Sequence, residues 1–374
     1  MNFLDLFDLN PALTFQKITA HVPGKLFIAG EYAVLEAGTP AILVAVNQYL
    51  HCTIQLSLTS NHGLLQSNLP ELTDYAYQRV NARIPEQPQW RYVLAAIETV
   101  ETLLSEMNRP LQDYRITISS ELVSQDGKKY GLGSSGAVTV ATIRALLSFY
   151  GLVPRSREIV YKLAAIALVK NGNLGSLGDI ASNCYGGWLY YQSPSRTWLR
   201  GEIAKGTPFY TLLHTDWEGL ALEPLTAPEQ LTLLVGWTQS PASTDHFIQL
   251  VQDAQANQHP FYQAFIQKSA QCVQRMKHAF EAKNVVNIQS ELANSRHLLQ
   301  QFGHTFGLSI QTDALEQLIE IARSYQFEAK SSGAGGGDCG IAIGMDRSLV
   351  APLIKAWQQE AITPLSIDVA PPIH

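Results

Sequence analysis

The sequence predicts a protein with two α+β domains, on three observations. The chain has 374 residues, which is more than a single hydrophobic core usually supports. Hydrophobic residues make up 46% of the chain and charged residues 16%, a composition typical of folded chains and not of disordered or coiled-coil proteins. Strand-like and helix-like segments occur in both halves, without the regular alternation that a doubly wound parallel sheet would show.

Apolar periodicity predicts the elements of the N-terminal half. Residues 50–58 alternate with a period of two, which is typical of a strand with one buried face, and residues 41–46 form a second, more deeply buried strand. Apolar side chains on one face predict a helix over about 92–107. The other elements predicted in this half are a strand at 114–119, helices at about 135–150 and 156–169, and a strand at 187–191.

A domain boundary is predicted near Pro224 and Pro228, because two prolines lie close together there and the pattern of the sequence changes. We therefore expect a loose N-terminal extension at 1–14, an N-terminal domain at 15–227 and a C-terminal domain at 228–374. The elements predicted in the second domain are a buried strand at 231–237, Gln-rich helices between about 244 and 302, a helix near 313–325, a strand at 340–343, a helix near 349–359 and a strand at 365–369.

Charge and cysteine content limit the classes of partner. The formal net charge is −6, so no global basic field would attract nucleic acid or an anionic membrane, and local donors must bind any anionic substrate. The four cysteines are far apart and form no Cys-x-x-Cys pair, which argues against a zinc site or a disulfide framework. The N-terminal segment is acidic and every long apolar stretch is interrupted, so we expect a cytoplasmic protein without a membrane span.

The most specific local feature is a glycine- and serine-rich loop that leads directly into an apolar helix. Its residues are Gly131, Leu132, Gly133, Ser134, Ser135 and Gly136. Such a loop can direct backbone N–H groups and the positive end of a helix at a phosphate chain, while serine hydroxyls bind phosphate or Mg²⁺. The alternative is a helix cap of small residues built for close packing. The loop therefore indicates nucleotide chemistry.

The same glycines match the Gly-x-Gly-x-x-Gly fingerprint of a NAD-binding fold, which would indicate an oxidoreductase. That fingerprint needs a buried strand directly before it and an acidic residue about 20 positions later. Here residues 124–129 are polar and residues 150–154 contain no carboxylate. We therefore rank a NAD-dependent oxidoreductase well below a nucleotide-phosphate site.

Two further glycine-bearing segments place charged residues beside apolar strands. In residues 22–35, Lys25 follows a Pro-Gly turn at the mouth of a strand, where it can point into a cleft; the alternative is a solvated turn lysine. In residues 330–340, five glycines lie between Gly333 and Gly340, so that a ligand can approach the main chain. The alternative here, a flexible hairpin loop, leaves the neighbouring serines and Asp338 unexplained.

In this order, the three segments resemble the signatures of the GHMP kinase superfamily, over about residues 17–370. Within that superfamily, residues 129–136, 241–244 and 330–339 are most similar to the phosphomevalonate kinases of the bacterial mevalonate pathway. Residues 178–187 resemble the family's segment with the active-site aspartate. The proline common before the phosphate loop is missing, and Gly136 stands where many relatives have Ala. Both departures weaken an assignment to mevalonate or homoserine kinase.

The resemblance implies a two-domain α+β kinase that binds ATP in its cleft. The N-terminal domain would carry the ATP phosphate loop, and the C-terminal domain would be ferredoxin-like. Lys25 and Asp179 would be the catalytic pair, residues 131–136 would hold the ATP phosphates, and Ser134 or Ser135 would bind Mg²⁺. For Asp179, the alternative is an N-cap residue after Gly178.

The resemblance also implies the acceptor side of the site. The acceptor would be 5-phosphomevalonate, and the protein would be a monomer or homodimer with no nucleic-acid or membrane partner. The residues implied on the substrate side are Tyr32, Ser332, Gly333, Ala334 and Gly335. Trp90 precedes a helix where relatives build the adenine pocket, which gives the hypothesis that it stacks near the base; core packing is the alternative.

Three kinase-related alternatives remain at this point. A mevalonate kinase, or another small-molecule kinase of the superfamily, would phosphorylate an alcohol, and Asp179 would then be a general base. A diphosphomevalonate decarboxylase is a more distant relative. A non-catalytic ATP-binding sensor on the same scaffold would be expected to have lost Lys25 or Asp179, and the chain has kept both.

Overall fold

The computed structural model describes residues 2–59, 62–69, 71–124, 126–173, 175–240 and 259–373. Within these ranges the strands form a seven-stranded sheet, a four-stranded sheet and a two-stranded sheet. Residues 241–244, which contribute to the resemblance, lie outside the described residues, as does the first part of the predicted Gln-rich helices.

The strands are numbered in chain order. They are β1 Phe7–Leu9, β2 Ile18–Ala29, β3 Pro40–Leu56, β4 His62–Ser67, β5 Tyr75–Gln78, β6 Tyr114–Ser120, β7 Leu152–Pro154, β8 Trp188–Gln192, β9 Ala221–Leu225, β10 Thr232–Trp237, β11 Glu328–Ser331, β12 Cys339–Gly344 and β13 Thr363–Leu365.

The helices described are numbered in the same way. They are α1 Arg91–Glu106, α2 Ser134–Phe149, α3 Arg157–Lys170, α4 Gly178–Tyr185, α5 Arg196–Ala204, α6 Phe209–His214, α7 Pro260–Glu281, α8 Val285–Phe306, α9 Asp313–Ser324 and α10 Val350–Gln359.

The seven-stranded sheet is built around the long strand β3. The strand order is β5-β4-β6-β3-β8-β9, and β2 also pairs with β3 in antiparallel fashion. The segments predicted as two strands, 41–46 and 50–58, belong to the single strand β3, which ends at Leu56. The first part of β3 pairs with β8 and its last part pairs with β6. Helix α2 packs on β2 and β3 and also contacts α1, α3 and α4. Its N-terminus is thereby fixed beside β2, where Lys25 lies.

The four-stranded sheet confirms the ferredoxin-like prediction for the C-terminal half. Its order is β11-β12-β10-β13, and every neighbouring pair is antiparallel. In chain order the pattern is strand, helices, two strands, helix, strand, with α7 to α9 before β11 and α10 before β13. The last strand was predicted at 365–369, whereas β13 spans Thr363–Leu365 and shares only Leu365 with it, so the predicted position is wrong. After it the chain returns to the first sheet, where the N–H of Ala370 donates to the carbonyl of Ala45 at 2.9 Å.

The N-terminal segment is not loose, so that prediction is wrong. Strand β1 pairs with β7, and the Phe7 side chain is fully buried in the main core. The Arg155 guanidinium also binds Asp8 at 2.8 Å. Three apolar residues of this segment, Phe3, Leu6 and Phe7, supply the buried surface that fixes it.

The remaining sequence expectations concern the boundary, the membrane and the cysteines. Strand β9 belongs to the first sheet and β10 to the second; the boundary between residues 227 and 228 stays a prediction. None of the helices described has the length and apolarity needed to cross a membrane. All four cysteines are buried and free.

Candidate active site

The three glycine-bearing segments meet at one cavity with a volume of about 690 Å³. This volume is in the range of small-molecule sites, about 300–1,000 Å³. Strand β2, the start of α2, the start of α4 and the loop at 332–335 all contribute to its wall. The chain therefore brings together residues that are more than 300 positions apart in sequence, such as Phe27 and Ser332.

Lys25 lies on β2 and is 9% exposed. Its Nζ donates a hydrogen bond to the carbonyl of Gly131 at 3.3 Å. Burial lowers the pKa of Lys25 below its ordinary value, while the carboxylates of Asp179 and Asp338 act in the opposite direction. The cavity thus contains a buried lysine whose charge is supported by carboxylates on two different elements.

Asp179 lies at the second position of α4 and lines the same cavity. The residue that caps this helix is Leu177, in a left-handed conformation with φ of 63°, so the N-cap alternative for Asp179 is wrong. Burial raises the pKa of Asp179, while Lys25 and the N–H of Ile180 lower it. Lys25 and Asp179 therefore face one cavity as an electrostatically coupled pair.

The phosphate-loop prediction corresponds to the N-terminal end of α2. Gly133 caps this helix with φ of +80°, a conformation that favours glycine. A Cβ on Gly133 would lie 2.8 Å from Cε of Lys25. Ser134 and Ser135 are half-buried at the start of the helix and line the cavity. A positive helix end, two hydroxyls and Lys25 thus converge, which suits a phosphate group.

Of the loop residues 131–136, Gly136 is the one that does not line the described cavity wall. It faces α4 instead, and a Cβ on it would lie 2.5 Å from Oδ2 of Asp179 and 2.9 Å from Oδ1 of Asn183. Asn183 is itself fixed, because its Nδ2 donates to the carbonyl of Pro23 at 2.6 Å. The glycine therefore permits the close approach of α2 and α4, and its part in phosphate binding stays a prediction.

The loop at 332–335 is fastened to β2 and to Tyr32. Ser332 Oγ accepts a hydrogen bond from the N–H of Phe27 at 2.9 Å and donates to the Phe27 carbonyl at 3.0 Å. The Tyr32 hydroxyl donates to the carbonyl of Ala334, and its ring stacks on Phe302 with 4.8 Å between centroids. Burial raises the pKa of Tyr32, which keeps this donor protonated. The residues predicted on the substrate side thus contact one another at the cavity wall.

Sequence reasoning missed several residues of the cavity wall. The wall residues missed include Glu31, Arg91, Tyr92, Asn171, Asn173, Ser176 and Asp338. Glu31 and Asp338 lie inside the glycine-bearing segments, so their charges were a usable signal. Trp90 does not line this cavity: it is 1% exposed and its Nε1 donates to the carbonyl of Thr73 at 2.9 Å. The stacking hypothesis for Trp90 is wrong, and the next two residues line the cavity instead.

The donor set fits a magnesium ion held mainly by nucleotide phosphates. In the described ranges, no group of three or more His, Cys, Asp or Glu side chains could hold a metal alone. Mg²⁺ is usually bound through one or two protein ligands together with substrate phosphates. The hydroxyls of Ser134 and Ser135 and the carboxylate of Asp338 supply oxygen donors of this kind at the cavity.

Comparison with known proteins finds kinases that match most of the chain. The family model "GHMP kinases N terminal domain" matches residues 91–187, and "GHMP kinases C terminal" matches residues 276–363. The phosphomevalonate kinase of Streptomyces sp. (strain CL190) is 35% identical, over 94% of this chain and 97% of that protein. The mevalonate kinase of Pyrococcus horikoshii is 25% identical, over 90% of this chain and 92% of that protein.

A solved structure agrees with the architecture. The phosphomevalonate kinase of Streptococcus pneumoniae, in complex with phosphomevalonate and AMPPNP, is 30% identical. It superposes with a TM-score of 0.81, over 94% of this chain and 99% of that chain.

Proposed function

Because the chain belongs to the GHMP kinase family, we propose that it catalyses the ATP-dependent phosphorylation of 5-phosphomevalonate to 5-diphosphomevalonate. The observation that carries the choice of acceptor is the 35% identity to the Streptomyces phosphomevalonate kinase over 94% of the chain, against 25% for the Pyrococcus mevalonate kinase. The pneumococcal relative, which binds phosphomevalonate and AMPPNP, supports the same choice.

The acceptor group decides what chemistry the site must supply. An oxygen of the acceptor phosphate attacks the γ-phosphorus of ATP, the bond to the β–γ bridging oxygen breaks, and ADP leaves. A phosphomonoester has its second pKa at about 6, so at neutral pH the phosphate of most acceptor molecules is already a dianion. No strong base is required. The main barrier is repulsion between two anions, and positioning with charge neutralisation overcomes it.

Lys25 is the residue that we assign to charge neutralisation. It lies at the cavity wall between Asp179 and the start of α2, so that its ammonium group can bridge the acceptor and the transferred phosphoryl group. Asp179 keeps the lysine charged and oriented. This assignment uses the electrostatic coupling between the two residues and needs no proton transfer to Asp179.

The N-terminal end of α2 is assigned to the phosphates of ATP. Gly131 to Ser135 line the cavity, and the first turn of α2 directs its free N–H groups there. Ser134 or Ser135, with ATP oxygens, would hold Mg²⁺, which neutralises phosphate charge when bound. Tyr32 and the loop at 332–335 close the substrate side.

A mevalonate kinase activity is the second candidate, because the pKa of Asp179 is raised by burial. A carboxylate with a raised pKa is a better proton acceptor, and an alcohol acceptor must lose its proton during transfer. The two candidates therefore differ in whether Asp179 acts as a base.

A coupled assay of ADP release separates the two candidates. The protein is supplied with ATP and Mg²⁺ and with mevalonate, 5-phosphomevalonate, homoserine or galactose in turn. We expect turnover that depends on Mg²⁺ and on 5-phosphomevalonate, with mevalonate a poor acceptor. Equal turnover of mevalonate would contradict the proposed acceptor. The Lys25→Ala variant is the background control, since it should lose turnover with every acceptor.

A further inference from the structure

After β13 the chain leaves the four-stranded sheet and lies against the first sheet, and we call residues 367–373 the strap. Ile367 and Ala370 of the strap are buried. The N–H of Asn47 in β3 donates to the carbonyl of Asp368 at 3.0 Å, and the N–H of Asp368 donates to Oδ1 of Asn47 at 2.8 Å. The strap is therefore fixed to β3, although the proposed reaction gives it no role.

The strap contacts β3 at the residue opposite Lys25. Lys25 in β2 and Ala45 in β3 are partners in the register of the two strands. The carbonyl of Ala45 accepts from the N–H of Ala370 at 2.9 Å, and the N–H of Ala45 donates to the carbonyl of Gly187 at 2.8 Å. The N–H of Gly187 in turn donates to the carbonyl of Ala370 at 3.0 Å. These three hydrogen bonds join the strap, the strand beside Lys25 and the residues that follow α4.

The strap also holds the C-terminal end of α4, the helix that carries Asp179 in its first turn. The carbonyl of Tyr185, the last residue of α4, accepts from the N–H of Ile373 at 2.8 Å. Arg157, the first residue of α3, donates from its guanidinium to the carbonyl of Ile373 at 2.6 Å. The same guanidinium lies 4.7 Å from the centroid of the Tyr185 ring. Arg157 thus binds the strap and the helix end at the same time.

Gly186 marks how closely the strap and the helix end approach each other. Its φ is +67° and its ψ is 179°, a conformation open essentially to glycine. A Cβ on Gly186 would overlap the carbonyl oxygen of Pro371. Because α4 has only eight residues, about two turns, a movement of this end is transmitted to Asp179 at the other end.

The strap therefore contacts the neighbours of both members of the Lys25–Asp179 pair. We infer that the strap positions this pair: it fixes the end of α4 against the strand beside Lys25, and so sets how closely Asp179 approaches the lysine. Arg157 is the positioning residue that holds the strap on α4. The inference rests on the proposed function, which assigns phosphoryl transfer to this pair. Since the strap continues from β13, which pairs with β10, it also links the C-terminal sheet to the geometry of the pair.

A double-mutant cycle between Arg157 and Asp179 tests the inference, with kcat measured at saturating ATP, Mg²⁺ and 5-phosphomevalonate. Arg157→Met removes both contacts of the guanidinium and should lower kcat by about 5-fold to 10-fold, with the KM for ATP unchanged. This is less than the roughly 100-fold cost of a misplacement by about 1 Å, because the backbone hydrogen bonds of the strap remain. In the Asp179→Asn background the same change should alter kcat by less than about 2-fold, because its effect passes through Asp179. Arg157→Lys, which keeps the charge and a donor, should restore most of the turnover.

Hydrogen exchange followed by mass spectrometry gives a readout that does not depend on turnover. In Arg157→Met, amides of α4 and of the strap should exchange faster than in the wild type, while those of α2 should not change. Arg155→Met is the matched control, because it removes the same charge close by. The Arg155 guanidinium binds Asp8 at 2.8 Å and does not contact the strap, so kcat and the exchange of α4 should stay at the wild-type values.

An equal loss of kcat from Arg157→Met in the wild type and in Asp179→Asn overturns the inference, because the strap would then act independently of the aspartate. An unchanged kcat in folded Arg157→Met overturns it as well. If Arg157→Met does not fold, Gly186→Ala in the same two backgrounds decides, since it disturbs the same junction through Pro371.

Failure of the proposed function gives a different result from failure of this inference. A wild type that turns over mevalonate in place of 5-phosphomevalonate contradicts the proposed acceptor, and the cycle run with mevalonate then decides the role of the strap. A wild type that turns over neither acceptor contradicts the proposed function and, with it, the role of the strap in catalysis.

Discussion

Gly136 and Asp179 are packed so closely that a Cβ on the glycine would lie 2.5 Å from the carboxylate oxygen Oδ2 of the aspartate. The glycine belongs to α2 and the aspartate to α4, so this contact sets the distance between the two helix starts that face the cavity. A methyl group here would displace the Asp179 carboxylate and would also press on Oδ1 of Asn183, which lies 2.9 Å from the Cβ position.

The first prediction concerns Gly136→Ala. Displacing Asp179 should lower kcat by about 10-fold to 100-fold, since a shift of about 1 Å in a positioned group can cost that much. The gain in helix propensity, about 1 kcal/mol, should offset the strain, so the free energy of unfolding should change little. Steady-state kinetics and urea unfolding measure the two effects.

Gly201→Ala is the matched control for this variant. Gly201 lies in α5, and a Cβ there would have nothing within 4 Å. Its kcat should stay at the wild-type value while the protein becomes slightly more stable. An unchanged kcat in Gly136→Ala as well would mean that Asp179 needs no exact placement.

The second prediction compares Lys25→Ala with Asp179→Asn at saturating substrates. Removing the charge of Lys25 should lower kcat by roughly 10²–10³, as for the loss of one preorganised donor in other enzymes. Asp179→Asn keeps the shape and part of the hydrogen bonding, so its effect should be smaller. A general base would instead cost about 10²–10⁴ on removal. If Asp179→Asn lowers kcat more than Lys25→Ala does, the result favours an alcohol as the acceptor.

The pH dependence of the same variants gives an independent check. With a phosphate acceptor, the group that titrates on the acidic limb of kcat is the substrate phosphate. The limb should therefore be the same in wild type and in Asp179→Asn. Loss of the limb in Asp179→Asn would assign the titration to the aspartate.

The third prediction concerns stability and follows from the raised pKa of Asp179. A carboxyl group whose pKa is higher in the folded than in the unfolded protein favours folding only while it is protonated, and that contribution is lost as pH rises through the folded pKa. Asp179→Asn should therefore be more stable than wild type at pH 7, and the difference should shrink in acid. Urea unfolding at several pH values measures it; a difference that grows in acid contradicts it.

The fourth prediction separates the two serines at the start of α2. Ser134→Ala and Ser135→Ala should differ, because geometry should allow only one hydroxyl to face the metal. The variant without the metal ligand should lose turnover and need more Mg²⁺, while the other should mainly lose affinity for ATP. If neither variant alters the Mg²⁺ or ATP dependence, the assignment of this loop is wrong.

Elements in which apolar residues recur with a regular period were predictable from the sequence. The helix expected at about 92–107 is α1 at Arg91–Glu106, because its apolar face recurs over four turns. The sequence predicted two strands in place of β3, because polar residues near Asn47 interrupt the apolar pattern. No local pattern shows that different strands pair with the two ends of β3. The sheet order of the C-terminal half came from the family resemblance and not from periodicity.

The site was predictable where function leaves a local signature and not where it depends on contacts distant in sequence. Lys25 and the loop at 131–136 stand out because a charge or several glycines break an apolar pattern. The buried ion pair between Glu31 and Lys330 joins residues 299 positions apart, and only the folded chain brings them together. The Trp90 hypothesis was wrong because position before a helix does not determine which way the ring points.

Phosphorus NMR of the reaction product tests the central claim most directly, because it reports which group accepts the phosphoryl. The protein is incubated with ATP, Mg²⁺ and either 5-phosphomevalonate or mevalonate. The account predicts that the monoester signal of 5-phosphomevalonate is replaced by two mutually coupled signals of a diphosphate, while mevalonate gives little product. A new monoester signal from mevalonate, with no coupled pair formed from 5-phosphomevalonate, would contradict it.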